Sequence, residues 1–92
     1  MIHSFACPET KALFSSSGVP RFKSIERVAR RKFLQLHAAT ELASLRIPPG
    51  NQLEALTGNR KGQYSIRIND QWRVCFEWQK DGAHQVEIVD YH

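Results

Sequence analysis

The stretch that decides the fold is Leu53-Glu54-Ala55-Leu56-Thr57-Gly58-Asn59-Arg60-Lys61-Gly62-Gln63-Tyr64-Ser65-Ile66-Arg67-Ile68-Asn69-Asp70-Gln71-Trp72-Arg73-Val74. It reads as three extended segments with two tight connections. Asn59-Arg60-Lys61-Gly62 is a cluster of turn formers, and Asn69-Asp70 stands between two alternating runs, where a two-residue hairpin turn belongs. Tyr64, Ile66 and Ile68 alternate with Gln63, Ser65 and Arg67; Trp72, Val74, Phe76 and Trp78 alternate with Arg73, Cys75 and Glu77. Period two gives each strand one apolar face and one polar face.

Working outward, Lys80-Asp81-Gly82 marks the next turn, and His84 to His92 reads as the last strand, with Val86 and Ile88 as core positions. Upstream, Ile47-Pro48-Pro49-Gly50 is a loop, because proline and glycine stop a helix there. A long amphipathic helix follows Pro20: Ile25, Val28, Ala29, Phe33 and Leu36 fall on one stripe, and Thr40-Glu41-Leu42 caps one further turn. A shorter helix enters at Cys7-Pro8-Glu9-Thr10 and ends at Ser15-Ser16-Ser17-Gly18. Met1 to Phe5 alternates and reads as a short strand. The apolar strand faces need cover, and only the helices can supply it. The expected fold is α+β: two N-terminal helices packed on one face of a curved antiparallel sheet. The other face, with Ser65, Arg67, Arg73 and Glu77, is left as an open polar groove.

Ninety-two residues make one domain, residues 1–92, with a modest core. The composition is 41% hydrophobic and 24% charged, which excludes a disordered chain. Residues 1–46 hold eight Lys or Arg against three Asp or Glu, whereas residues 47–92 hold five against six. A basic half suits RNA, the ribosome or an acidic protein partner. Its charge gathers at Arg27, Arg30 and Arg31 on the outer side of the long helix; Arg60, Lys61 and Arg67 are the further candidates for RNA or ribosome contact. Cys7 and Cys75 form no CxxC pattern, and His3, His37, His84 and His92 show no metal-ligand spacing, so neither metal nor cofactor is expected. Free thiols and the lack of a signal-peptide or membrane-length apolar run point to the cytoplasm, with no membrane partner.

Met1-Ile2-His3-Ser4-Phe5, the motif Leu-x-x-Leu-x-Gly-x-x-x-Gly-x-x-Ser from Leu53 to Ser65, Trp72-Arg73 and the closing Asp90-Tyr91-His92 together resemble a HigB-type toxin of the RelE superfamily. The resemblance spans the whole chain, and the order and spacing of the pieces are more specific than any piece alone. It implies two N-terminal helices on an antiparallel sheet. It implies an endoribonuclease that cuts translated mRNA on the ribosome, and a HigA-like antitoxin with a helix-turn-helix domain as partner. The HigB branch commonly has histidine where this chain has Glu54. The related YoeB-type toxins have glutamate there, with an arginine on the following hairpin and a histidine near the C-terminus; Glu54, Arg73 and His92 match that pattern.

The chemistry such a set serves is simple. RNA supplies its own nucleophile, the ribose 2′-hydroxyl. Cleavage then needs a base, a cation for the charged phosphorane and an acid for the 5′-oxygen, without a metal. Glu54 is the candidate base, Arg73 the fork-shaped clamp and His92 the acid. Tyr91 is a candidate for stacking on a nucleobase, and Asp90 for orienting His92. Strict alternation sets Tyr91 and His92 on opposite faces. A rival from another class shares the fold: a ParE-like toxin that poisons DNA gyrase by binding alone. A plain RNA-binding module is the third reading.

Overall fold

The structure, a computed structural model, describes residues 1–90; Tyr91 and His92, both singled out above, lie outside the described residues. Helix α1, Pro8–Phe14, opens on a proline whose missing N–H costs nothing in a first turn, with Glu9 at the positive end of the helix dipole. It closes at Ser16, which takes a left-handed φ of 70°. Pro20–Ile25 is a 3-10 turn, so the long helix starts later than its apolar stripe: α2 runs Glu26–Ala38. Another 3-10 turn, Leu42–Arg46, replaces the extra turn expected after Thr40.

Among the described residues the sheet has four strands in sequential antiparallel order: β1 Glu54–Ala55, β2 Gln63–Arg67, β3 Trp72–Gln79 and β4 Gly82–Asp90. The α+β arrangement expected from the sequence is what forms. Ile66, Ile68, Trp72, Val74, Phe76, Val86 and Ile88 are buried against Leu13, Phe22, Ile25, Ala29, Phe33 and Leu36. Phe22 meets Trp72 edge to face at 5.6 Å, and the Ile88 amide donates to Thr10 Oγ1 at 3.1 Å, which pins α1 to β4. The helices are also tied to each other. Arg30 donates to the carbonyl oxygens of Leu13 and Ser17, both at 3.2 Å, and to Glu26 at 2.6 Å, so its guanidinium ties α2 to the chain where α1 ends.

Three local expectations are corrected. Met1 to Phe5 is not a strand but two isolated parallel bridges to β4, Ile2 to Ala83 and Phe5 to Val86. The β2–β3 connection is longer than Asn69-Asp70. The Ile68 amide still donates to the Trp72 carbonyl, and the Asn69 side chain accepts from the amides of Gln71 and Trp72, so an Asx turn does the work of a two-residue turn. The stripe of α2 is also broken by a charge: Lys32 is buried, its Nζ donating to the Asn51 side chain at 2.5 Å. Asn51 in turn donates to Gln35 and to the Leu45 carbonyl, both at 3.0 Å. Burial pulls the Lys32 pKa down, helped by the nearby charges of Arg31 and Arg67.

Candidate functional site

Strand register sorts the polar residues of the open face into rows. Glu54 pairs with Ser65, Ser65 with Cys75 and Cys75 with Glu87, so one row crosses all four strands. The next row holds Arg67, Arg73 and Val89. On the other side lie Gln63, Glu77 and His84. The sheet thus carries a row with a carboxylate at each end beside a row with two guanidiniums directly opposite each other.

The face is not open throughout. Ser65 and Cys75 are only 2% and 1% exposed, because the β1–β2 connection folds back over them. Arg60, from the 3-10 turn Gly58–Arg60, reaches across to Gln63 at 3.0 Å and to Glu87 at 3.3 Å. Gly58 and Gly62 bracket this turn with φ of 64° and 95°, values that glycine takes without strain. Burial pushes the Cys75 thiol up to about 11; Arg60 and Arg73 oppose that shift and Glu87 adds to it. At neutral pH the thiol is protonated and serves as floor, not nucleophile.

Beside this latch runs a cleft of about 430 Å³, lined by Glu54, Leu56, Asn59, Arg60, Val89 and Asp90, among others. Glu54 is exposed at its rim. Arg73 is half-buried, and its Nη1 donates to the Asn69 and Trp72 carbonyl oxygens, which fixes the head group near the β2–β3 turn. Arg67 pairs with Asp70. Two strand spacings and one ladder step separate the Glu54 and Arg73 backbones, roughly 12 Å by standard sheet dimensions. To share a phosphate with Glu54, the Arg73 head group would have to swing from the turn carbonyls toward the cleft.

The other candidates divide. Asp90 pairs with Trp72, so its side chain belongs to the helix side of the sheet rather than to the Arg67–Arg73 row. There it accepts from the Gln71 amide group at 3.2 Å, while still bordering the cleft. Arg27, Arg31 and Lys61 are exposed, as a phosphate- or partner-facing surface requires. Arg30 is half-buried: it donates to carbonyls at the end of α1 while staying about one-third exposed, so it serves the fold and still borders the basic surface. Glu87 is the open-face residue the sequence reading passed over. Its signal was present: it alternates with Val86 and Ile88, both core.

A family model described as RelE-like toxin of type II toxin-antitoxin system HigB matches residues 16–92. Toxin HigB-1 of Vibrio cholerae is 48% identical over 69 residues, 75% of this chain and 72% of that one. Endoribonuclease HigB of Proteus vulgaris is 33% identical over 95 residues, covering both chains in full. In fold, the chain is similar to one in the YoeB-YefM complex from Staphylococcus aureus, with a TM-score of 0.57, 19% identity and coverage of 100% and 98%.

Proposed function

The chain belongs to the HigB-like toxins of type II toxin-antitoxin systems, and from that premise we propose that it is an endoribonuclease that cleaves mRNA on the ribosome. The cognate antitoxin, its partner by family, is a HigA-like protein with a helix-turn-helix domain under this reading, and the toxin works in the cytoplasm. Among the described residues no helix is long and apolar enough to cross a membrane. The relatives' names do not favour the gyrase-binding alternative.

One observation carries the mechanism: Arg67 and Arg73 stand directly opposite each other on the open face, one row from Glu54. Like charges at facing positions destabilise a sheet; the fully exposed Asp70 offsets part of that cost through Arg67, and a bound anion would relieve the rest. A phosphate there meets planar donors that match its oxygens. Glu54, on the rim, takes the proton of the 2′-hydroxyl; Arg73 stabilises the phosphorane as charge builds; His92 protonates the departing 5′-oxygen. Tyr91 stacks on the neighbouring nucleobase. Arg27, Arg31 and Lys61 hold ribosomal RNA, and charge reversal there weakens binding and flattens its salt dependence.

The test is to map mRNA 5′ ends after induction of wild type and Arg73→Ala. Wild type produces new ends within translated message. Arg73→Ala, folded by circular dichroism, loses about 10²- to 10³-fold in cleavage. A folded Arg73→Ala that remains fully toxic overturns the mechanism.

A further inference from the structure

At the end of the β3–β4 hairpin away from the Arg67–Arg73 row, two imidazoles and a carboxylate converge. His84 Nε2 lies 2.7 Å from Asp81 Oδ1. His3 Nε2 lies 3.6 Å from Asp81 Oδ2 and 2.6 Å from the Asp81 carbonyl oxygen. The two imidazoles stack with centroids 4.9 Å apart and planes 19° from parallel. The nitrogen and oxygen donors of all three residues fall within 4.8 Å of one another.

Sequence spacing hides this set, because Asp81 lies 78 positions after His3. The fold closes the gap. The His3 amide donates to the Ala83 carbonyl at 2.8 Å, and the Ala83 amide donates to the Met1 carbonyl at 2.9 Å. Gly82 makes this approach feasible: a Cβ there would sit 2.2 Å from the Met1 carbonyl oxygen. His84 is held by its ladder position opposite Glu77. Two of the three donors therefore hang from backbone that is already fixed.

We propose that His3, Asp81 and His84 form a binding site for one divalent transition-metal ion, zinc by the character of its donors. Two imidazoles and a carboxylate suit a borderline ion and are a poor match for magnesium or calcium, which favour oxygen throughout. Zinc bonds of about 2.0–2.2 Å in a tetrahedron need donors about 3.3 Å apart. The separations already present, 2.7 and 3.6 Å, bracket that value, so only small ring tilts are needed. His84 Nε2 is directed at the Asp81 carboxylate and His3 Nε2 at the carbonyl oxygen of the same residue, with the carboxylate 3.6 Å away, so both ring nitrogens already face oxygens of Asp81. The ion would staple the N-terminal segment to the hairpin, remote from the proposed RNA cleft, with solvent in the fourth position.

The experiment titrates the chelator-treated chain with Zn²⁺ by calorimetry and with Co²⁺ by visible absorption. One ion binds per chain, with nitrogen–oxygen d–d bands and no thiolate charge-transfer band from Cys7 or Cys75. His3→Gln, Asp81→Asn and His84→Gln each weaken binding by more than about a hundredfold, beyond the roughly 10- to 100-fold that loss of an outer partner costs. Circular dichroism confirms that each variant is folded. Absence of saturable one-to-one binding overturns the site, as does a thiolate band. Affinity unchanged in His84→Gln also overturns it, since a chelate built on the Met1 amine and His3 would survive that substitution.

Discussion

The two faces of one sheet obey different rules. On the helix side, Ile66, Val74, Phe76, Val86 and Ile88 are buried in a continuous apolar layer, and no one of them depends on a particular partner. On the other side each polar residue is defined by its partners: Arg60 by Gln63 and Glu87, Arg67 by Asp70, Arg73 by two backbone carbonyls. Apolar contact is non-directional and scales with area, so many side chains satisfy it. Charge and hydrogen bonding are directional, so one altered partner changes the site. The helix face should therefore control stability, and the groove face activity.

The strongest attempt to break that division is Phe76→Ala, fully buried on the helix side. It should lose about 3–5 kcal/mol of stability by denaturant melting, while residual folded protein cleaves at the normal rate per molecule. A specific activity that fell with stability would mean the faces are coupled. Glu54→Gln asks the reverse question. Removing the base should cost roughly 10²- to 10⁴-fold in rate, about 3–5 kcal/mol of barrier, with an unchanged melting curve. Glu54→His should recover part of the loss and gain activity as pH rises and the imidazole becomes neutral. A substrate lacking the 2′-hydroxyl should be inert to every version; its cleavage would identify water as the nucleophile.

Cys75 tests the boundary between the faces, since it is polar-side yet buried. With its thiol pushed up to about 11, alkylation at pH 8 should run roughly a hundredfold slower than for an ordinary thiol, and slower still from burial. The folded thiol keeps its proton to higher pH than the unfolded one. Unfolding therefore releases a proton as pH climbs from 9.0 to about 11, and wild type should lose stability relative to Cys75→Ala through that window. Fast labelling of native Cys75 would show that the Arg60 latch opens readily. The smallest effect belongs to the latch itself. The Arg60–Glu87 pair is about one-third exposed, so Glu87→Gln should change stability by less than about 1 kcal/mol, and what it alters should be substrate affinity.

The same contrast explains what could be read from the chain. Hydrophobic period found the core side of β2, β3 and β4, because burial leaves its mark at every second residue. It also assigned Arg67, Arg73 and Glu77 to the opposite side. What it missed are contacts across sequence: Arg60 to Glu87, Lys32 to Asn51 and His3 to His84. A polar residue's type states what it can do, but only register states whom it meets. Asp90 is an example: its place next to the closing Tyr91-His92 suggested catalysis, and only the register adds that it pairs with Trp72 at the border of the cleft.

β4 also carries a register shift, between the partners of Cys75 and Glu77, and Gln85 there has a φ of 53°. From Glu87 back to His84 is three residues, yet their partners Cys75 and Glu77 are two apart and share a face. This extra residue is a β-bulge. Uninterrupted alternation from Val86 would have turned His84 into the core; instead Ala83 is buried there and His84 faces the other way, toward His3. Chain length in this strand is thus a discrete variable. Deleting Gln85 would not trim a side chain but reverse the parity of everything between it and the turn. Any relative one residue shorter here would have a differently sorted hairpin end, however similar its sequence.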